Sequence, residues 1–126
     1  SRIGSDKDAK NHKTLIYARI IGLNDLRMSL AIYGPCVLSV MTFSGMMTTK
    51  TGKVPMPHHG EQTLGGHAVC LVGYDDSLKL LKFKNSWSVM WGEAGYGYLS
   101  YSYVERYMLD AWGCIDKKTN SYLFKT

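Results

Sequence analysis

The sequence predicts an α+β domain that is mainly antiparallel β and barrel-like, with one or two short helices. Three observations carry this prediction: short runs of β-branched and aromatic residues recur along the chain, turn residues separate them, and one early stretch has helical spacing. With 126 residues, of which 45% are apolar, the chain is long enough for one domain with a modest core. We expect this domain over residues 14–126, after a polar, mobile arm over residues 1–13.

The first predicted elements are a strand, a helix and a second strand. Residues 14–21 are rich in β-branched and aromatic side chains and predict the first strand. Asn24 is a candidate N-cap for a helix over residues 25–33, which the following Gly-Pro pair would end. Residues 36–43 alternate apolar and small side chains, which is typical of a strand.

Residues 44–66 predict a long loop without regular structure. The loop contains His58 and His59, which together with His67 and Cys70 raise the question of a zinc site. Adjacent histidines point apart in an extended chain, and Cys70 falls on the strand face opposite to His67. The sequence has neither a Cys-x-x-Cys nor a His-Glu-x-x-His string. We therefore predict no metal and no cofactor.

The central stretch is a predicted β-hairpin around the turn residues 75–77. If Tyr74 pairs with Leu78, antiparallel pairing places His67 opposite Asn85, and alternation puts both side chains on one apolar face. A neutral amide can fix the tautomer and orientation of an imidazole, which is the role of the asparagine in Cys-His-Asn triads. The alternative is a hydrogen-bonded core histidine near a strand end.

The remainder of the chain predicts a loop over residues 88–95 and an aromatic strand over residues 96–103. Residues 104–112 fit either a helical turn or a strand. A turn over residues 117–120 would lead into a terminal strand over residues 121–125.

Charge and hydropathy argue against two classes of partner. The net charge is +5, but the lysines are spread along the chain, so we predict no nucleic-acid partner. The tyrosines between residues 96 and 107 are expected to pack within the domain, because only Arg106 accompanies them as a basic residue. No apolar run reaches 18 residues, so we predict no membrane-spanning segment.

Three ordered strings resemble the papain-like cysteine peptidases, and specifically the C-terminal, β-rich half of that fold. The strings are His67-Ala68-Val69, Lys84-Asn85-Ser86-Trp87 and Trp91-Gly92-Glu93-Ala94-Gly95-Tyr96. The resemblance extends over roughly residues 14–103. It implies that His67 is the base or ion-pair partner of a catalytic thiol and that Asn85 orients it. It also implies that residues 44–66 approach the cleft and shape substrate access, although a plain surface loop remains the alternative.

The resemblance further assigns four residues to the surroundings of the His-Asn pair. Trp87 would shield the pair from water, and Trp91 would lie near the leaving-group side of the cleft. Gly66 and Ala68 would also belong to the cleft. Ser88 departs from the glycine that usually follows the Asn-Ser-Trp string. If that position required φ > 0, serine would cost about 1 kcal/mol.

The family's catalytic cysteine lies in a Gln-x-x-Cys-Gly-Ser-Cys-Trp string of the N-terminal half, and this string is absent here. We expect Cys36, Cys70 and Cys114 to be ordinary thiols, buried or partly buried, and none to be the nucleophile. The glutamine that completes the oxyanion hole is missing as well, since Gln62 lies in the loop before His67.

These observations favour the His/Asn half of a papain-like cysteine peptidase. Its partner would be an N-terminal half carrying the catalytic cysteine, in a separate chain or upstream in a longer one, and its substrate a peptide or protein. The chain alone is expected to be inactive. The alternatives are a non-catalytic papain-like module that binds a peptide or protein, and an assembly subunit. By family resemblance, the expected location is lysosomal, vacuolar or secreted.

Overall fold

A computed structural model describes residues 15–116, which form six strands and three helices. The strands are β1 (Leu15–Arg19), β2 (Cys36–Thr42), β3 (Gly65–Asp75), β4 (Leu80–Lys84), β5 (Tyr96–Ser100) and β6 (Met108–Asp116), and the helices are α1 (Gly22–Tyr33), α2 (Ser44–Thr48) and α3 (Tyr101–Tyr107). In the sheet the strands follow the order β1-β6-β2-β3-β4-β5. Within the described residues, no helix is both long and apolar enough to cross a membrane.

The described residues divide into a larger unit, residues 19–113, and a smaller one that contains residues 15–18 and 114–116. The core and the candidate site both belong to the larger unit. The predicted N-terminal arm, the turn over residues 117–120 and the terminal strand over residues 121–125 lie outside the described residues.

The core of the larger unit is built on one face of the sheet. β2 pairs antiparallel with β3 on one side and with β6 on the other, and alternate β2 side chains, such as Leu38 and Val40, are fully buried. Helix α1 adds Leu26 to this core, and α3 adds Tyr103, whose hydroxyl donates to the Met41 carbonyl at 2.7 Å. Burying these side chains contributes roughly 1.5–3 kcal/mol each, so the sheet and both helices stabilise one another.

Three predictions of secondary structure are wrong in detail. Helix α1 begins at Gly22, so Asn24 lies inside the helix and does not cap it. The strand expected over residues 96–103 ends at Ser100, because the Ser100 hydroxyl accepts from the Tyr103 N–H at 3.1 Å and caps α3. The loop expected over residues 44–66 contains helix α2 and a parallel bridge between Lys53 and Tyr98.

The predicted hairpin is present, but its turn is longer than expected. The structure pairs Tyr74 with Leu81, not with Leu78. The cause is Asp75, whose carboxylate accepts from the Ser77 N–H at 2.9 Å, the Ser77 hydroxyl at 2.6 Å and the Leu78 N–H at 3.1 Å. This side chain closes a local turn on its own backbone, and the ladder resumes only at Leu80.

A β-bulge in β3 restores the predicted facing of the side chains between the bulge and His67. The register shifts between Leu71 and Gly73, and beyond it Cys70 pairs with Lys84. From Leu71 toward His67 the displacement from the predicted register is two positions, and an even displacement keeps the side chains of that part of the hairpin on their predicted faces. The alternating burial of β3 and β4 confirms this assignment, with Val69 and Phe83 buried on the core face.

Candidate active site

His67 and Asn85 lie within hydrogen-bond distance at one end of the hairpin. The Nε2 atom of His67 is 3.1 Å from Oδ1 of Asn85. The Asn85 side chain is buried, with 1% of the residue exposed, whereas His67 is half-buried. Since an amide oxygen can only accept, Nε2 carries the proton in this arrangement. The Nδ1 atom then keeps a lone pair for a second group.

Backbone contacts hold Asn85 in this place. The residue follows directly after β4, and its N–H donates to the Gly95 carbonyl at 2.9 Å. The Nδ2 atom of Asn85 is buried and has no hydrogen-bond partner among the described residues. Leaving a buried donor unpaired costs about 1–3 kcal/mol. Asn85 is therefore held by its backbone and by the contact of its Oδ1 atom with His67.

Two tryptophans pack in sequence beside the His-Asn pair, Trp87 on His67 and Trp91 on Trp87. The Trp87 ring stacks on the His67 imidazole, with centroids 5.0 Å apart and an interplanar angle of 29°. Trp91 meets Trp87 edge to face at 5.5 Å and also packs against Phe83. The Trp87 ring thus covers one face of the imidazole.

Ser88, the departure from the family pattern, carries no backbone strain. Within the described residues, the non-glycine residues with positive φ are Lys79 and Ala94. The Ser88 hydroxyl accepts from the Met90 N–H at 3.0 Å, and its carbonyl accepts from the Trp91 N–H at 2.9 Å. These bonds build a compact turn that directs Trp91 inward. The backbone strain that a serine with φ > 0 would suffer therefore does not arise.

Gly66 and Ala68 flank His67 in the sequence but occupy the other face of the sheet. Both are exposed, and Ala68 pairs with Ser39 of β2. A side chain at position 66 would approach the Leu109 methyl group to 2.9 Å, so glycine leaves room for that neighbour. The two residues therefore line the sheet surface beside His67 and do not contact the imidazole face that Trp87 covers.

The three cysteines differ in exposure, and only one matches the expectation of burial. Cys36 is buried, whereas Cys70 and Cys114 are exposed. Burial raises the pKa of the Cys36 thiol to about 11, which disfavours the thiolate that a nucleophile requires. Cys70 lies on the sheet face opposite to the core face of β3. Among the described residues, no group of three His, Cys, Asp or Glu side chains could hold a metal ion.

We expect two of the three thiols to react rapidly with a disulfide reagent at pH 8. Cys36 should not react, because with a pKa of about 11 roughly one Cys36 thiol in a thousand is ionised at that pH. Release of the reporter thiolate should stop at two equivalents and reach three only in guanidinium chloride. A Cys36→Ala variant should still release two fast equivalents, and three fast equivalents from the folded protein would contradict the buried placement.

Comparison with known proteins identifies the family of the chain. Residues 4–111 match the family model described as papain family cysteine protease. An uncharacterized peptidase C1-like protein of Acanthamoeba polyphaga mimivirus is 38% identical over 120 residues, which cover 84% of this chain and 39% of that protein. A cathepsin B-like protein of Giardia intestinalis is 38% identical over 71 residues, 54% of this chain and 23% of the relative.

Solved structures show the same fold. Xylellain, a cysteine protease from Xylella fastidiosa, superimposes with a TM-score of 0.73 at 31% identity, covering 87% of this chain and 43% of that one. Procathepsin B S9 from Trypanosoma congolense gives a TM-score of 0.63 at 21% identity, covering 82% and 36%. The papain-like fold predicted from the three strings is thus confirmed. The chain spans less than half the length of these proteins.

Proposed function

The chain belongs to the papain family of cysteine proteases, and we propose that it is the half of such an enzyme that carries the catalytic histidine and asparagine. The observation that carries this proposal is the contact between His67 Nε2 and Asn85 Oδ1, with Trp87 stacked over it. Asn85 would orient the imidazole without adding a buried charge. The stacked indole would keep the imidazole–amide bond dry.

The chemistry proposed for His67 uses its free ring nitrogen. Nδ1 would accept the proton of a cysteine thiol, which gives a thiolate–imidazolium pair. The thiolate would attack the carbonyl carbon of a peptide, and His67 would return the proton to the departing amine as the C–N bond breaks. Water would then hydrolyse the thioester and regenerate the thiol.

We place the catalytic cysteine in an N-terminal half that joins this chain in the active protein. Cys36 is buried with a raised pKa, and Cys70 faces away from the core side of β3, so neither suits the role. A surface for the partner is available, because Val37 lies between Cys70 and Trp112 on the exposed sheet face. Val37 is 46% exposed and Trp112 is 40% exposed, and such an apolar surface is typical of an interface.

The proposal can be tested on native material from the source organism. An antibody to this chain would recover it under native conditions, and its partners would be identified by intact mass under denaturing conditions. We expect either a longer polypeptide or a second one with a cysteine that a papain-directed epoxide alkylates. The recovered protein should cleave a fluorogenic peptide, and alkylation should abolish the cleavage.

Two outcomes would contradict the proposal. Recovery of a single 14.1 kDa species without peptide cleavage would leave no nucleophile for His67. Recovery with a second polypeptide that binds peptides but neither cleaves them nor reacts with the epoxide would support the alternative of a non-catalytic module.

A further inference from the structure

Glu61 connects the loop before β3 to helix α2 through both oxygens of its carboxylate. Oε2 accepts from the backbone N–H of Ser44 at 3.1 Å and from the Ser44 hydroxyl at 2.9 Å. Oε1 accepts from the backbone N–H of His58 at 3.0 Å, and the Glu61 N–H donates to the His58 carbonyl. One side chain thereby fixes the first residue of α2 and a turn 14 positions later in the sequence.

Helix α2 is also held from the side. A Cβ atom at Gly45 would lie 2.4 Å from Cγ of Pro55, so the helix backbone packs directly on the proline ring. Met46 is 1% exposed and belongs to the core. The helix has only five residues and is too short to be stable alone, so these contacts determine its position.

The position of α2 determines where Trp91 lies. The indole N–H of Trp91 donates to the Met46 carbonyl at 2.9 Å. Trp91 in turn meets Trp87 edge to face, and Trp87 stacks on His67. A continuous set of contacts therefore runs from the carboxylate of Glu61 to the imidazole.

We propose that Glu61 is a positioning residue for His67, which acts through helix α2 and Trp91 to keep the Trp87 ring over the imidazole. The importance of this role for catalysis rests on the proposed function, whereas the set of contacts does not. The loop between α2 and β3 would then hold the site in place indirectly, through α2, in addition to approaching the cleft.

The charges around Glu61 are compatible with this role. On its own loop Glu61 interacts with the charge of His58, and the hydrogen bonds from His58 and Ser44 lower the pKa of Glu61. From α3, Arg106 lines the same surface depression as Glu61. Burial raises the pKa of Tyr103 to about 12, and the charges of Tyr107 and Glu61 add to this effect. The carboxylate is thus ionised at neutral pH and available to accept all three hydrogen bonds.

The test is nuclear magnetic resonance on the chain itself, with Glu61→Ala and Glu61→Gln variants. In Glu61→Ala, solvent exchange of the Trp91 indole proton should accelerate by about tenfold. The substitution removes the carboxylate that accepts both hydrogen bonds from Ser44 at the start of α2. The ring protons of His67 should lose part of the ring-current shift from Trp87. Glu61→Gln keeps one acceptor oxygen and should lie between Glu61→Ala and the wild type.

Asp75→Ala is the matched control, because the Asp75 carboxylate also accepts three local hydrogen bonds but belongs to the hairpin turn. It should leave the Trp91 and His67 signals unchanged. The proposal is overturned if Glu61→Ala leaves both signals unchanged, or if Asp75→Ala moves them equally. Neither result depends on peptide cleavage, so failure here is separable from failure of the proposed protease function.

Discussion

Replacing His67 with alanine is expected to lower kcat/KM for peptide cleavage by the assembled protease by about 10²–10⁴-fold. In the proposed mechanism one imidazole both removes the thiol proton and protonates the leaving amine, and general acid–base catalysis of this kind contributes effects of that size. The Trp87 ring would lose its stacking partner but would keep its edge-to-face contact with Trp91. The loss should therefore appear in catalysis far more than in stability.

The measurement is hydrolysis of a fluorogenic peptide by the assembled protein, with His59→Ala as the matched control. His59 is exposed in the loop before β3, so its removal should leave kcat/KM within about twofold of wild type. Asn85→Ala should lose less than His67→Ala, because the imidazole remains and only the acceptor of its Nε2 proton is removed. Retention of activity by His67→Ala would refute the assigned role.

The proximity of His67 and Asn85 could be predicted because it follows from strand periodicity. Alternation alone puts both side chains on one face, and it tolerates a register error of two positions. At the turn the structure places Leu81, and not Leu78, opposite Tyr74, which is an error of three positions, and the bulge between Leu71 and Gly73 reduces this error to two. A displacement of one position would have placed the imidazole and the amide on opposite faces.

The features that sequence reasoning missed depend on contacts between distant segments. The carbonyl of Met46 accepts from an indole 45 positions away, and no local pattern indicates such a bond. Helix α2 has five residues and is fixed by Glu61 and Pro55 from the following loop, so its own sequence carries little helical signal. Contacts between loops that are far apart in the sequence produce no periodic pattern of residue types along the chain.

The largest effect on stability is expected at Gly92, where two loops meet around one carbonyl group. Gly92 has φ of +58°, and a Cβ atom there would lie 2.5 Å from the Tyr96 carbonyl oxygen and 3.2 Å from the Gly52 Cα. Gly52 has φ of +88° and would place a Cβ atom 2.7 Å from the same oxygen. That carbonyl accepts from the Glu93 N–H at 3.0 Å, so it cannot move without breaking the turn after Trp91.

We expect Gly92→Ala to reduce the free energy of unfolding by about 2–4 kcal/mol, of which roughly 1–2 kcal/mol is left-handed backbone strain and the rest is crowding. Urea denaturation would measure it, with Gly60→Ala as the control. Gly60 has φ of +78° but nothing within 4 Å of its added Cβ atom, so it should lose only the strain contribution. Equal losses of unfolding free energy in the two variants would show that the Tyr96 carbonyl moves away from the added Cβ atom at little cost. In that case the turn after Trp91 would be looser than its hydrogen bonds indicate, and the support that it gives to Trp91 beside His67 would be correspondingly weaker.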